Sequence, residues 1–298
     1  MAELLSSLSN ALADTVAAAG ESTVRVSARR RLPATGIVWS ADGLIVTSHH
    51  VVERDEDITV GLPDGCDVRA TLVGRDPTTD LALLHAEATG LKPAQWAEPA
   101  SLRVGHLVVA LGRTGHTVQA VLGIVSALGA GWRTPIGGQI DRYLQTDVVM
   151  YPGFSGGPLV SAGGEFIGLN SSALAPGISL ALPVTTIRRV VEVLSAHGHV
   201  PRGYLGIGTQ PVRLPAALQQ ALGQETGLLI VGVEAGSPAE AGGLVLGDTI
   251  VAVEGHAVRH HDDLLSRLTA DRIGKPIALR ILRGGQVQDA SVTLGERK

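Results

Sequence analysis

Three short strings carry side chains suited to nucleophilic catalysis. In Gly153-Phe154-Ser155-Gly156-Gly157-Pro158 a serine sits among glycines. Such a string is an ordinary tight turn. It is equally a backbone bare enough for a substrate carbonyl to approach a hydroxyl. On that second reading the N–H groups of Gly153 and Ser155 point at the developing oxyanion, each donor worth roughly 3–4 kcal/mol if deleted. A serine hydroxyl is a weak nucleophile until a neighbouring base takes its proton. Thr47-Ser48-His49-His50-Val51-Val52, where an apolar run meets two histidines, offers that base. Asp76-Pro77-Thr78-Thr79-Asp80 reads as a turn. It leaves Asp80 at the mouth of the apolar run Leu81-Ala82-Leu83-Leu84, where a carboxylate requires a partner. An imidazole N–H is a suitable partner, and its hydrogen bond would fix the histidine tautomer.

The order along the chain is His, Asp, Ser, the order of chymotrypsin-like double barrels and not of α/β-hydrolases or subtilisins. The surrounding pattern suits that plan. From Thr23 onward short apolar runs (STVRVSA, TGIVW, GLIVTS, DITVGL, LALLHA, HLVVALG, FIGLN) alternate with Gly, Pro and Asp turn signals. Many short strands without intervening helices imply a sandwich or a pair of barrels. Leu5, Leu8, Leu12 and Val16 recur at helical spacing and predict an amphipathic helix over residues 3–19, packed on the body of the protein or on another copy. Thr185–His197 predicts a second helix with Ile187, Val190, Val191 and Leu194 on one face. The segment from His197 to Pro201 breaks regular structure and marks a boundary. Beyond it lies a fresh set of strands, with helices expected at Pro215–Leu222 and Asp262–Thr269, enough for a small α+β domain.

The strings TSHHVV, DPTTDLALL and QTDVVMYPGFSGGPLV resemble the three signature stretches of the HtrA (Deg) family of trypsin-like serine proteases, which carry a C-terminal PDZ domain. The resemblance covers nearly all of residues 20–298 and implies a mainly β protein, a chymotrypsin-like double β-barrel protease followed by a small α+β PDZ domain. It divides the chain into an N-terminal helical segment (1–21), a protease domain (22–198) and a PDZ domain (199–298). It implies His50 as general base, since His50 and not His49 directly precedes Val-Val, with Asp80 as its orienting partner and Ser155 as nucleophile. Gly153 and Ser155 would form the oxyanion hole, and Val149, Met150 and Tyr151 the S1 pocket. No carboxylate stands there to pair with Arg or Lys, so an aliphatic P1 residue is expected. One departure stands out. The family pattern has Asn-Pro-Gly-Asn before Ser-Gly-Gly-Pro, where this chain has Tyr151-Pro152-Gly153-Phe154, and the lost Asn could have braced the oxyanion loop. In the second domain the resemblance assigns a carboxylate-binding nest to Tyr204, Leu205, Gly206 and Ile207, with Leu264, Leu265 and Leu268 divided between side-chain pocket and core.

Composition removes several function classes. The chain has 298 residues, 45% hydrophobic, with a net charge of -4, which gives no pull toward nucleic acid. Cys66 is the only cysteine, so no intrachain disulfide can form. No G-x-x-x-x-G-K-[ST] string is present, and the proposed chemistry needs no cofactor. His256, His260 and His261 lack an acidic framework and read as a solvated loop rather than a metal site. No run approaches the roughly 20 apolar residues of a membrane span. The opening segment is acidic and interrupted where an export signal is basic and continuous, which predicts a cytoplasmic protein; a chain whose signal had been removed for export would read the same. The expectation is therefore an ATP-independent serine endopeptidase acting on misfolded or exposed polypeptide and binding peptide C-termini, by resemblance a homotrimer. The alternative is a chaperone or peptide-binding scaffold with a nearly silent protease domain.

Overall fold

The computed structural model describes residues 2–98 and 102–296, which fall into two compact units, Met1–Val200 and Pro201–Lys298. Helix α1 (Ala2–Gly20) opens the first unit. Strands β1 (Thr23–Ser27), β2 (Ala34–Val38), β3 (Leu44–Ser48), β4 (Ile58–Gly61), β5 (Asp67–Asp76) and β6 (Leu81–Ala86) close into a barrel in the order β1-β2-β3-β6-β5-β4. A second closed barrel holds β7 (Leu107–Gly112) and β8 (Gln119–Gly129). A two-stranded ribbon, β9 (Trp132–Arg133) with β10 (Gln139–Ile140), follows and lies outside it. The barrel is completed by β11 (Tyr143–Thr146), β12 (Pro158–Ser161), β13 (Phe166–Ser171) and β14 (Ser179–Pro183), in the order β11-β14-β13-β12-β7-β8. Helix α2 (Val184–His197) ends the unit at Gly198, which takes the left-handed C-cap conformation.

The continuous apolar runs follow from burial on both strand faces. Ala82 and Leu84 of β6 point into the first barrel with Val38 and Ile45, whereas their neighbours Leu81 and Leu83 point outward with Ile37 and Val46. That outer set meets the outward residues of the second barrel, Val109, Leu111, Leu169 and Leu182, and the Ile187, Val190, Val191, Leu194 face of α2. Val108, Ala110, Leu159 and Ala181 fill the second barrel. A period of two is therefore kept, but neither face is left polar. Truncating Leu83 to Ala would remove packing from the seam between the barrels, at about 2–5 kcal/mol. Helix α1 uses only its second half here. Leu12 and Val16 pack on the seam, while Leu4, Leu5 and Leu8 stay exposed.

The second unit is a sheet in the order β16-β17-β18-β20-β21, made of β16 (Ile207–Arg213), β17 (Thr226–Val233), β18 (Thr249–Val253), β20 (Pro276–Arg283) and β21 (Gln286–Thr293). Short β15 (Gly203–Tyr204) pairs β22 (Gly295–Glu296), and β19 (His256–Ala257) pairs β18. Three short helices accompany the sheet: α3 (Ala216–Leu222), α4 (Pro238–Ala241) and α5 (His261–Leu265). The helix expected at Asp262–Thr269 ends at Leu265, and a one-turn 3-10 helix at Ala270–Arg272 follows. Its last apolar residue, Leu268, still packs against the core around Leu264.

Candidate active site

His50 lies in a single 3-10 turn (His49–Val51) that terminates β3. Asp80 closes the turn from β5 to β6. In that turn Asp76 accepts the Thr78 N–H at 3.0 Å and the Thr79 hydroxyl at 2.7 Å, an Asx arrangement that reverses the chain. Asp80 itself takes a left-handed backbone, φ +57°, which Asp tolerates better than most residues. Two main-chain bonds hold it there: its N–H donates to Pro77 and its carbonyl accepts from His49 N–H at 3.0 Å. The result aims the carboxylate at His50. Oδ1 accepts the His50 N–H at 2.9 Å, and the ring Nδ1 donates to Oδ2 at 2.8 Å. Nδ1 must therefore carry the proton, which leaves a lone pair on Nε2. Burial by itself would raise the Asp80 carboxyl, but the hydrogen bonds and charge of His50, with the Ser171 hydroxyl, hold it below the usual carboxylate range. Its neighbour His49 has no such partner. Burial pushes it below the usual histidine range, the Arg75 charge adds to this, and its buried Nδ1 has no hydrogen-bond partner among the described residues.

Ser155 sits in the loop between β11 and β12, nearly buried. The loop lies directly on the strands that lead to His50. A Cβ on Gly156 would fall 2.1 Å from the Thr35 carbonyl oxygen and 2.2 Å from Thr47 Oγ1, so only glycine permits this approach. Gly156 N–H donates to Asn170 at 2.9 Å, and Asn170 Nδ2 donates to Pro158 at 2.8 Å, stitching the loop to the end of β13. Upstream, Phe154 N–H donates to Tyr151 at 3.0 Å and Gly153 has φ +92°. With Pro152 as the first central residue, this is a type II turn. Thr35 Oγ1 donates to the Gly153 carbonyl at 2.7 Å and fixes the peptide plane that follows. Among the described residues, neither Gly153 N–H nor Ser155 N–H has a protein acceptor. Both remain available to a ligand oxygen.

The Ser155 hydroxyl is bonded to the Ser172 hydroxyl at 3.0 Å rather than to His50. Of the expected S1 residues, Val149 and Tyr151 are each 54% exposed, while Met150 leans on the second barrel's core. Phe154 is fully buried in that core, so the lost Asn is replaced by an apolar plug rather than by a gap in the site. In the second unit Leu205 is buried, and the loop Tyr204-Leu205-Gly206 is tied down by Ala239 N–H to the Leu205 carbonyl and Glu234 N–H to the Gly206 carbonyl, both 2.9 Å. Tyr204 donates its phenol to Glu234. Leu205 and Gly206 N–H have no protein acceptor among the described residues. Ile207 opens β16. Leu264 is core, and Leu268 and Ile207 each pack against that core. His261 is exposed at the start of α5, and its Nε2 donates to the Thr209 carbonyl at 2.9 Å.

Sequence reasoning missed Thr35, Ser171 and Ser172. A signal was present. Asn170-Ser171-Ser172 is a polar run closing an otherwise apolar strand, and Asn170 and Ser171 are buried, which requires partners.

A family model for trypsin-like peptidase domains matches residues 34–169, and one for PDZ domains matches residues 203–294. A probable periplasmic serine endoprotease (DegP-like) of Rhizobium meliloti (strain 1021) is 36% identical over 276 residues, covering 90% of this chain and 54% of its own length. A DegP-like counterpart from Halomonas elongata is 35% identical over 91% of this chain and 58% of its own. The chain thus spans about half the length of these relatives. Among solved structures, an HtrA-type protease AlgW with a decapeptide is similar at TM-score 0.75 and 28% identity, covering 96% of this chain and 98% of that one. The serine endoprotease from Yersinia pestis is similar at TM-score 0.76 and 30% identity, again covering 96% and 98%. The periplasmic naming of the relatives overturns the cytoplasmic expectation. That expectation rested on the acidic, interrupted opening segment, but those residues form α1, and their pattern reports what the helix packs on rather than a compartment. Among the described residues no helix is long and apolar enough to cross a membrane.

Proposed function

Because this chain belongs to the HtrA family of serine endoproteases, with a trypsin-like peptidase domain and a PDZ domain, we propose that it is an ATP-independent endopeptidase of misfolded or exposed polypeptides, working in the periplasm or cell envelope. The observation that carries the reading is the bond from His50 Nδ1 to Asp80, which leaves Nε2 as a base beside a loop presenting two unused N–H groups. Ser155 Oγ attacks the scissile carbonyl as its proton passes to His50 Nε2. The oxyanion is held by the N–H groups of Gly153 and Ser155. His50 then protonates the leaving amine, and water, activated by the same imidazole, releases the acyl group. The first unit supplies residues 22–198 as the protease, preceded by the helical segment 1–21, and residues 199–298 bind peptide C-termini by strand addition along β16 with the carboxylate at Tyr204–Ile207. Val149, Met150 and Tyr151 favour an aliphatic P1 side chain. The exposed Leu4, Leu5 and Leu8 of α1 suit a contact within a homotrimer.

The test is labelling of the whole chain by a fluorophosphonate, which reports an activated serine beside a formed oxyanion site. The parent should label, and Ser155→Ala and His50→Ala should not. One observation favours a second reading. The Ser155–Ser172 bond turns the nucleophile away from His50, as a peptide-binding scaffold with a silent protease would allow. A folded parent that stays unlabelled in the presence of an unfolded polypeptide would select the scaffold.

A further inference from the structure

The Phe154 ring fills a recess whose floor is Gly112, the last residue of β7: a Cβ built there would fall 2.6–2.9 Å from the Phe154 ring carbons. Phe154 shares the buried core of the second barrel with Val108, Ala110, Leu159 and Val148. Tyr151 covers it edge-on, its ring centroid 5.9 Å from that of Phe154. Phe154 is also the residue whose N–H closes the type II turn and whose carbonyl accepts from Gly157 at 2.9 Å. Its backbone thus lies between the two unused donors, Gly153 N–H and Ser155 N–H, while its side chain is locked into a rigid barrel.

We propose that Phe154 is a positioning residue: by plugging the Gly112 recess it holds the 151–157 loop so that the Gly153 and Ser155 N–H groups converge before any substrate binds. This rests on the reading of those groups as an oxyanion hole. A polar residue at 154 has no partner in that apolar recess and would leave it, taking the turn with it. Thr35 secures the other side of the same loop, donating to the Gly153 carbonyl while accepting the Arg113 N–H at 2.8 Å. Arg113 directly follows Gly112, so one stretch of chain supports the loop through its apolar and its polar contact.

The test compares the full chain with Phe154→Asn, Gly112→Ala, the double variant Gly112→Ala/Phe154→Leu, and Val125→Ala as a control that loosens the same core from β8. Two quantities are read: amide hydrogen exchange across residues 149–157, and the second-order rate of fluorophosphonate labelling. Phe154→Asn should speed exchange at the Phe154 and Gly157 amides and slow labelling about tenfold or more, a fraction of what losing an oxyanion donor outright costs. Gly112→Ala should do the same through its clash. The double variant, with a smaller side chain over the added methyl, should recover both. Val125→Ala should lower Tm with little change in either. Unchanged exchange in Phe154→Asn, or equal changes in Val125→Ala, would overturn the proposal. A parent that exchanges as expected but does not label sinks the oxyanion-hole reading instead, and the exchange comparison still decides the positioning role.

Discussion

The hydroxyl of Ser171, at the end of β13 in the second barrel, donates to Oδ2 of Asp80, at the mouth of β6 in the first, across 91 positions of sequence. The carboxylate that orients His50 is therefore gripped from both barrels. Removing the Ser171 grip leaves Asp80 held by His50 alone, with Oδ2 keeping only its bond from Nδ1. A hydrogen bond to a charged group contributes about 1.5–3 kcal/mol, so Ser171→Ala should lower kcat on a peptide substrate on the order of tenfold. KM should change little, since Ser171 is fully buried and its hydroxyl is bonded to Asp80. Steady-state kinetics decide it: a Ser171→Ala protein with the parent's kcat would show that the His50 contacts suffice.

Asp80→Asn keeps the shape of the pair and changes its protons. An amide NH2 facing Nδ1 would turn that nitrogen into an acceptor and place the proton on Nε2, where the base is needed. The drop in kcat should be on the order of 10⁴, as for the equivalent exchange in other triads. Fluorophosphonate labelling should fall with it while circular dichroism stays native.

Stability should fall on acidification in two stages. Folding lowers the His49 pKa through burial, and it lowers that of Asp80 against burial through His50 and Ser171. In both cases the unfolded chain binds more protons than the folded one between the two pKa values, so stability is present above the unfolded value and lost as pH falls. For His49 the loss begins near pH 6.5 and continues below it; for Asp80 it begins near pH 4. Denaturant unfolding measured from pH 8 downward should show both steps, with His49→Gln removing the upper one. A profile identical in His49→Gln and parent would mean that the ring is protonated without cost.

The strands, the barrel plan and the two helices of the first unit were legible because apolar period and turn residues state them locally. So was the Asp76–Asp80 turn, whose Asx bonds lie within four residues. The grips on the site were not. Thr35 to Gly153 spans 118 positions and Ser171 to Asp80 spans 91, and no local pattern announces a partner so distant. Phe154 shows the same limit from the other side. Next to Ser155 it reads as a lost polar brace, and only the absent Cβ of Gly112, far upstream, reveals the recess that receives it. The opening segment misled because its acidic, interrupted apolar pattern was read as a statement about compartment, whereas Leu12 and Val16 are spent on the barrel seam.

Gly206 offers the corresponding test in the second unit. Its φ is +76°, and a Cβ there would lie 2.3 Å from the Cβ of Ser237, whose Oγ accepts the Glu240 N–H and caps α4. Gly206→Ala must therefore adopt a left-handed backbone, at about 1–2 kcal/mol, and push Ser237 from its cap. The loop that presents the free Leu205 and Gly206 N–H groups is held by that helix through Ala239 N–H and the Leu205 carbonyl. Displacing it should turn those donors away from an incoming carboxylate. Titrating the full chain with a library of decapeptides, as free acids and as C-terminal amides, should show binding of the acids alone to the parent and at least tenfold weaker binding to Gly206→Ala, about 1.4 kcal/mol. Equal binding of amides and acids would remove the carboxylate from the recognition, and unchanged affinity in Gly206→Ala would move the site off this loop.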